Sequence, residues 1–282
     1  MKFNNLLIIF LSFFPLLSFA QEYFHSGELG SFKNASSFYI NSSGHIYVTD
    51  SGTDEVYKLD TTGTVLKFIG GFGWDNGSFD DPVDVFATSL TVYVCDKNNH
   101  RVQRFDKDLN FIEMLSTKEK ENSDEHFGYP VGAVTSGQGD LFILDAENKR
   151  ILKFDLFGNF IQNFGGFDYG DYSLSNPGSM AVFSSSNLFV LDDNSLFVFD
   201  LFGNGISKTK LNFNLKNIRV TFNDLTLNND STIYHTSLTS NEISIKELKL
   251  IDVSSNKKII SSIIFNDKLY VLTKDKILIF RK

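Results

Sequence analysis

Ile46-Tyr47-Val48-Thr49-Asp50 returns along the chain as Val92-Tyr93-Val94-Cys95-Asp96, as Phe142-Ile143-Leu144-Asp145 and as Phe189-Val190-Leu191-Asp192. The four aspartates lie 46, 49 and 47 residues apart. A second motif keeps step with the first: Tyr57-Lys58-Leu59-Asp60, Gln103-Arg104-Phe105-Asp106, Leu152-Lys153-Phe154-Asp155 and Phe197-Val198-Phe199-Asp200, with aspartates 46, 49 and 45 apart. Two motifs drifting together mark an internal repeat. A period of roughly 45–50 residues is that of one four-stranded unit in a radial array.

The third unit shows the four strands most clearly. Val131–Thr135 is the inner strand, Leu141–Leu144 the second, Ile151–Phe154 the third and Phe160–Phe164 the outermost. Phe157-Gly158-Asn159 makes the tight turn before the last strand, since glycine and asparagine tolerate positive φ. The second strands are apolar without alternation, as expected of sheets covered on both faces. A sandwich with one solvated face would alternate instead. In the fifth unit Ser231-Thr232-Ile233-Tyr234-His235 reads as the second strand, continued by Glu242–Leu248. Lys268–Leu272 and Ile277–Phe280 belong to the sixth. The last unit lacks a fourth strand, and Glu22-Tyr23-Phe24-His25 is an orphan segment that would supply it. These patterns predict an all-β fold, a six-bladed β-propeller of four-stranded antiparallel blades, its ring closed by an N-terminal strand. Closure would remove exposed edges.

Lys2, the apolar run Leu6–Leu17 and the small residues Ser18-Phe19-Ala20 read as a secretory signal peptide over residues 1–20. Cleavage near Ala20 would leave one propeller domain, 21–282, exported to a periplasm or to the extracellular space. No later stretch approaches membrane-spanning length. Without Lys2 the chain keeps 25 basic against 34 acidic residues, a formal charge of −9. That balance argues against nucleic acid, whose binding needs a basic patch. Cys95 is the single cysteine, so no internal disulfide can help, and stability must come from a core rich in the chain's 30 phenylalanines.

The first units resemble NHL repeats. The resemblance is carried by Val94-Cys95-Asp96 followed by Asn98-Asn99-His100-Arg101-Val102-Gln103-Arg104-Phe105-Asp106, and by Gly70-Gly71-Phe72-Gly73-Trp74 leading to Phe79 and Pro82. It implies a propeller that is most often an interaction module. Related propellers include calcium-dependent lactonases and a peptide-amidating lyase, so fold alone does not decide activity.

The repeated Asp50, Asp96, Asp145 and Asp192 end strands before turns, where a carboxylate accepts turn N–H groups. In units two and three Arg101 and Arg150 are placed to pair with them. Calcium at the central channel would need several carboxylates converging from the inner strands. Of Asp84, Gly132 and Ser179 only one is acidic, and the register of Asp224 is open. No cofactor is predicted. His25, His45, His100, His126 and His235 are scattered without zinc-ligand spacing, and no local motif supports catalysis.

Loop length points to a binding face. Gly71–Asp81, Ser116–Tyr129 and Gly166–Asn176 are long connections to the next unit, and the second-to-third strand turns are longer in units one to three than in unit four. On them lie Phe72, Trp74, Asp75, Asp81, His100, Arg101, Tyr129, Lys149, Arg150, Tyr169 and Tyr172, the candidate binding residues, whose aromatic members suit interface anchors. Phe79 and Phe127, near the prolines Pro82 and Pro130, are expected to seal the ring. The prediction is a monomeric binding or scaffold module for a protein, peptide or carbohydrate partner on the loop-rich face of blades one to four. Two alternatives stand beside it: a metal-dependent hydrolase or lyase at the channel, and a structural subunit of an envelope complex.

Overall fold

The computed structural model describes residues 21–117, 119–120, 122–183, 186–238, 245–252 and 257–282. The signal peptide assigned to 1–20 lies outside them, as do residues 242–244 of the segment read above as continuing the fifth unit. Among the described residues the regular structure is β-strand plus two short 3-10 turns, Ser123–Glu125 and Gly170–Tyr172.

Strand β1 (Gln21–Leu29) comes first. Then β2 (Ala35–Ile40), β3 (Ile46–Asp50), β4 (Glu55–Leu59) and β5 (Val65–Gly70) form an antiparallel sheet. The pattern repeats in β6 (Pro82–Ala87), β7 (Thr91–Asp96), β8 (Arg101–Asp106) and β9 (Phe111–Leu115). It repeats again in β10 (Pro130–Thr135), β11 (Leu141–Asp145), β12 (Arg150–Phe154) and β13 (Phe160–Phe164). A fourth copy is β14 (Pro177–Phe183), β15 (Asn187–Asp192), β16 (Ser195–Asp200) and β17 (Gly205–Lys210). The remainder is β18 (Asn217–Thr221), β19 (Asp224–Asn228), β20 (Ile233–Ser237), β21 (Lys246–Ile251), β22 (Ser261–Phe265), β23 (Lys268–Leu272) and β24 (Ile277–Arg281).

These last seven strands and β1 form one eight-stranded sheet, ordered β18-β19-β20-β21-β1-β24-β23-β22. The expectation of six separate four-stranded blades is therefore corrected. Four such blades are present among the described residues, and the other strands are fused. The cause is β1, which is hydrogen-bonded along both edges. It runs antiparallel to β24, with Phe24 opposite Arg281 and Leu29 opposite Ile277, and parallel to β21, with Gln21 opposite Leu248 and Phe24 opposite Ile251. A strand paired on both sides leaves no boundary between its neighbours. The fifth unit is also shifted from its expected register. Ile233–Ser237 is its third strand, and the second is Asp224–Asn228, which ends in asparagine where the earlier units carry aspartate.

The first strands β2, β6, β10, β14, β18 and β22 touch one another in succession, and β22 returns to β2. The sheets therefore stand radially about an axis, each burying both flanks. Between β11–β13 and β15–β16, Phe142, Phe154 and Phe164 pack with Leu188, Val190, Phe197 and Phe199. Burying each such side chain is worth about 1.5–3 kcal/mol. Cys95 belongs to the same buried set, a small apolar filler whose thiol burial pushes well above its usual range.

Four inner strands begin with the same bulge, between Ala35 and Ser37, Pro82 and Asp84, Pro130 and Gly132, and Pro177 and Ser179. Proline lacks an N–H and is tolerated at a strand start, and the extra residue re-aims the side chains that follow. At the other end of the blades, Asp60, Asp106, Asp155 and Asp200 organise the third-to-fourth strand turns. Asp155 Oδ1 accepts from the N–H groups of Phe157 and Asn159, and Asp200 Oδ1 does the same with Phe202 and Asn204.

One of these turns ties two sheets together. Asp108 accepts from Lys58 Nζ of the preceding blade at 2.6 Å and from Lys107 Nζ at 2.9 Å, which holds its carboxyl at about 2. A depressed folded-state value means stability that is complete above the ordinary value of 3.8 and lost as pH falls towards 2. Urea unfolding of Asp108→Asn should therefore lie below wild type by a constant margin above that range. The two curves should converge between pH 3.8 and about 2. A margin unchanged at low pH would contradict the pairing.

Candidate functional site

The strand-terminal aspartates staple the incoming loops. Asp50 accepts from the backbone N–H groups of Lys33, Asn34 and Gly52. Asp96 accepts from Asp80 N, Asn99 Nδ2 and, at 2.7 Å, Arg101 Nε. Asp145 accepts from Gly128 N and Asn148 Nδ2, with Arg150 Nε at 3.8 Å. Asp192 accepts from Ser175 and Asn176. Burial pushes the carboxyls of Asp96 and Asp145 up, and their donors pull back against it.

Arg101 and Arg150 extend these staples. Arg101 is only 4% exposed. Its guanidinium donates to the carbonyls of Trp74 at 2.6 Å, Asp75 at 3.1 Å and Ser78 at 2.9 Å. Arg150 donates to the carbonyls of Ser123 and His126. Both stand among the candidate partner-facing residues. Arg101 spends its guanidinium donors inside the molecule, fixing loop 71–81, whereas Arg150 commits Nη2 to the carbonyls of Ser123 and His126 and leaves Nε buried without a hydrogen-bond partner.

Anchoring the backbone of these loops turns other side chains outward. Phe72 and Trp74 are 74% and 65% exposed, and Phe167 on the next long loop is 95% exposed. Phe79 and Phe127 are buried, sealing the sheets. Tyr129 and His100, both at positive φ, hold their rings 4.5 Å apart at a 49° tilt, and His100 Nδ1 accepts from Tyr129 N. Asp75 is exposed, whereas Asp81 is half-buried, accepting from Lys97 Nζ while its N–H donates to Asp54. Burial, with Asp80, Asp81 and Asp50 close by, pushes the Asp54 carboxyl up. Lys149 is exposed at φ +55.

Tyr169 and Tyr172 are held partly inward; Tyr169 stays 38% exposed. Tyr169 donates to Gly203 O and rests against Phe164. Tyr172 is half-buried against Phe199 and Gly205, at the edge of β17. Phe167, absent from the candidates, is the freest aromatic ring of the three. It sits in a Gly-Gly-Phe lead-in like Phe72, and that shared motif was the available signal.

The axis is crossed by a polar bridge. Arg219 of β18 reaches Asp84 Oδ1 of β6 at 2.5 Å and Ser37 Oγ of β2 at 2.7 Å, while Ser37 itself donates to Asp84. Beside it the Tyr39 hydroxyl donates to Val220 O at 3.0 Å, and burial pushes that hydroxyl up to about 12. A space of ≈ 10 Å³ remains among Tyr39, Asp84, Met180 and Arg219, room for about one water. Calcium asks for six to eight oxygens, whereas the Asp84 carboxylate on the axis is already committed to a guanidinium. These residues do not fit that ion. Asp224 starts β19 and pairs with His235 Nε2 at 2.7 Å, leaving it no part in the bridge. Among the described residues no three His, Cys, Asp or Glu side chains are grouped to hold a metal, and no helix is long and apolar enough to cross a membrane.

Radial four-stranded sheets, aspartate-stapled loops and a bridged axis define a β-propeller of repeated units. Residues 79–105, within the second of the repeated units, match the NHL repeat family. The chain is 27% identical over 144 residues to the protein brain tumor of Drosophila melanogaster, across 50% of this chain but only 13% of that protein. The chain thus spans a small part of this relative. Among solved structures it is similar to streptogramin B lyase, with a TM-score of 0.63, 12% identity, and coverage of 90% of this chain and 96% of that one. The WD40 β-propeller domain of Doa1 gives 0.63 and 11%, covering 92% and 97%. At such identities the likeness is one of fold.

Proposed function

We propose that this propeller is an exported binding module whose partner, a protein or peptide, docks on the long loops 71–81, 116–129 and 165–176. The observation that carries this reading is the exposure of Phe72, Trp74 and Phe167 on loops whose backbones are pinned from within. Rigid aromatic side chains on a fixed support lose little entropy on binding, which makes them efficient anchors. Asp75, Asp168 and Asp171 are exposed alongside them, favouring a partner with basic residues. Export rests on the leader at 1–20. The alternative of hydrolysis or lysis at the channel finds less support, because Asp84 is engaged by Arg219 and the axis has little free volume.

A photo-crosslinking residue at position 74 or 167, introduced in the producing cells, is expected to capture a discrete polypeptide. Phe72→Ala combined with Trp74→Ala and Phe167→Ala should abolish that partner's binding and change stability by no more than about 0.5 kcal/mol per site. Unimpaired binding by the triple variant would count against this face. A chain recovered uncleaved from the cytosol would count against export.

A further inference from the structure

The third-to-fourth strand turns follow one template, and one of them leaves a hole. Counting from Asp60, Asp106, Asp155 and Asp200, the fourth residue is Gly63, Leu109, Gly158 and Gly203. Leu109 is buried and packs with Tyr47 of the preceding sheet. A Cβ on Gly63 would meet Leu29 at 2.9 Å, and one on Gly203 would meet Phe164 at 2.8 Å, so the space beside both is filled from the preceding sheet. A Cβ on Gly158 would meet nothing within 4 Å. The preceding sheet is also short there. Leu115 stands opposite Val102, where the next sheet has Phe164 opposite Ile151.

The result is a cavity of ≈ 190 Å³ between β8–β9 and turn 155–159, with Tyr93, Val102, Leu115 and Leu141 on its apolar walls. Leu156 and Phe157 at its rim are exposed, Phe157 by 77%. An apolar cavity of about 150 Å³ is enough to admit benzene. One wall is polar. Arg104 lies over the Tyr93 ring and donates from Nη1 to Glu113 at 2.7 Å, but its Nε–H is buried without a partner. A buried donor of this kind calls for an acceptor.

We propose that this cavity is a second docking site, receiving one aromatic side chain of a partner polypeptide whose backbone carbonyl accepts from Arg104 Nε. Volume selects the side chain and the orphan donor selects a main-chain oxygen beside it. The exposed Leu156 and Phe157 extend the contact. This site does not involve the aromatic residues of the long loops.

The test uses the full chain with labelled methyl groups and two probes, benzene and N-acetylphenylalanine amide. Both should shift the methyls of Met114, Leu115, Leu141 and Leu156 saturably, the amide binding about tenfold more tightly, the worth of one hydrogen bond to a charged donor. Arg104→Met should erase that preference while leaving benzene bound. Gly158→Leu, which restores the residue of the Leu109 turn, should block both probes. Phe72→Ala with Trp74→Ala should leave both probes bound, which separates this site from the loop face. Failure of both probes, shifts that survive Gly158→Leu, or equal binding of the two probes would overturn the proposal, the first leaving a void that holds only water or solvent and the last a non-selective apolar hole in which Arg104 Nε meets no main-chain carbonyl.

Discussion

Replacing Arg219 by methionine is expected to destabilise the chain by about 3–5 kcal/mol, the usual cost of stripping one partner from a buried ion pair. Asp84 and Arg219 are each only 4% exposed, and among the described residues no other cation reaches the carboxylate. Without the guanidinium, Asp84 is left as an uncompensated carboxylate in a buried site, and Ser37 loses a donor at the same time. Removing both charges, as Arg219→Met with Asp84→Leu, should recover most of the loss, because paired apolar replacements are often near neutral. Urea denaturation of the two single variants and the double variant measures the coupling directly. A cost below about 1 kcal/mol for Arg219→Met would mean that water reaches the bridge.

Tyr23→Ala should cost a comparable amount, about 3–5 kcal/mol. The ring is fully buried among Ile233, Leu248, Leu269, Leu278 and Phe280, side chains drawn from both halves of the eight-stranded sheet. It is the chief apolar contact by which β1 holds β21 and β24 together. The hydroxyl contributes nothing, being buried without a partner and pushed up to about 12 by burial and by Asp224 and Asp267. Tyr23→Phe should accordingly be neutral or slightly stabilising. Thermal unfolding of both variants separates ring from hydroxyl. Equal losses would show that the hydroxyl has a bonding role after all.

Much of this was legible in the chain itself. The second strands betray sheets covered on both faces, and the aspartates at their ends sit where turn N–H groups need an acceptor. Phe79 and Phe127 could be assigned to the seal because each precedes an inner-strand proline. The register of the fifth unit escapes a sequence reading because Asn228 replaces the strand-ending aspartate and Asp-Leu-Thr-Leu-Asn alternates polar with apolar. The fusion into eight strands was hidden, since pairing between two outer strands leaves no periodic trace. Arg219 was equally hidden: its partner lies 135 residues away. Arg101 was visible as a partner for Asp96, but only coordinates show that its remaining donors hold loop 71–81 rather than a ligand.

The double-sided pairing of β1 also dictates an order of events. A chain made amino terminus first carries Gln21–Leu29 with one edge unpaired until Ile277–Arg281 has been made, about 250 residues later, and its other edge until Lys246–Ile251. Contacts so remote in sequence form late and slowly. Until that partner strand forms, the free edge of Gln21–Leu29 must be kept from foreign sheet edges.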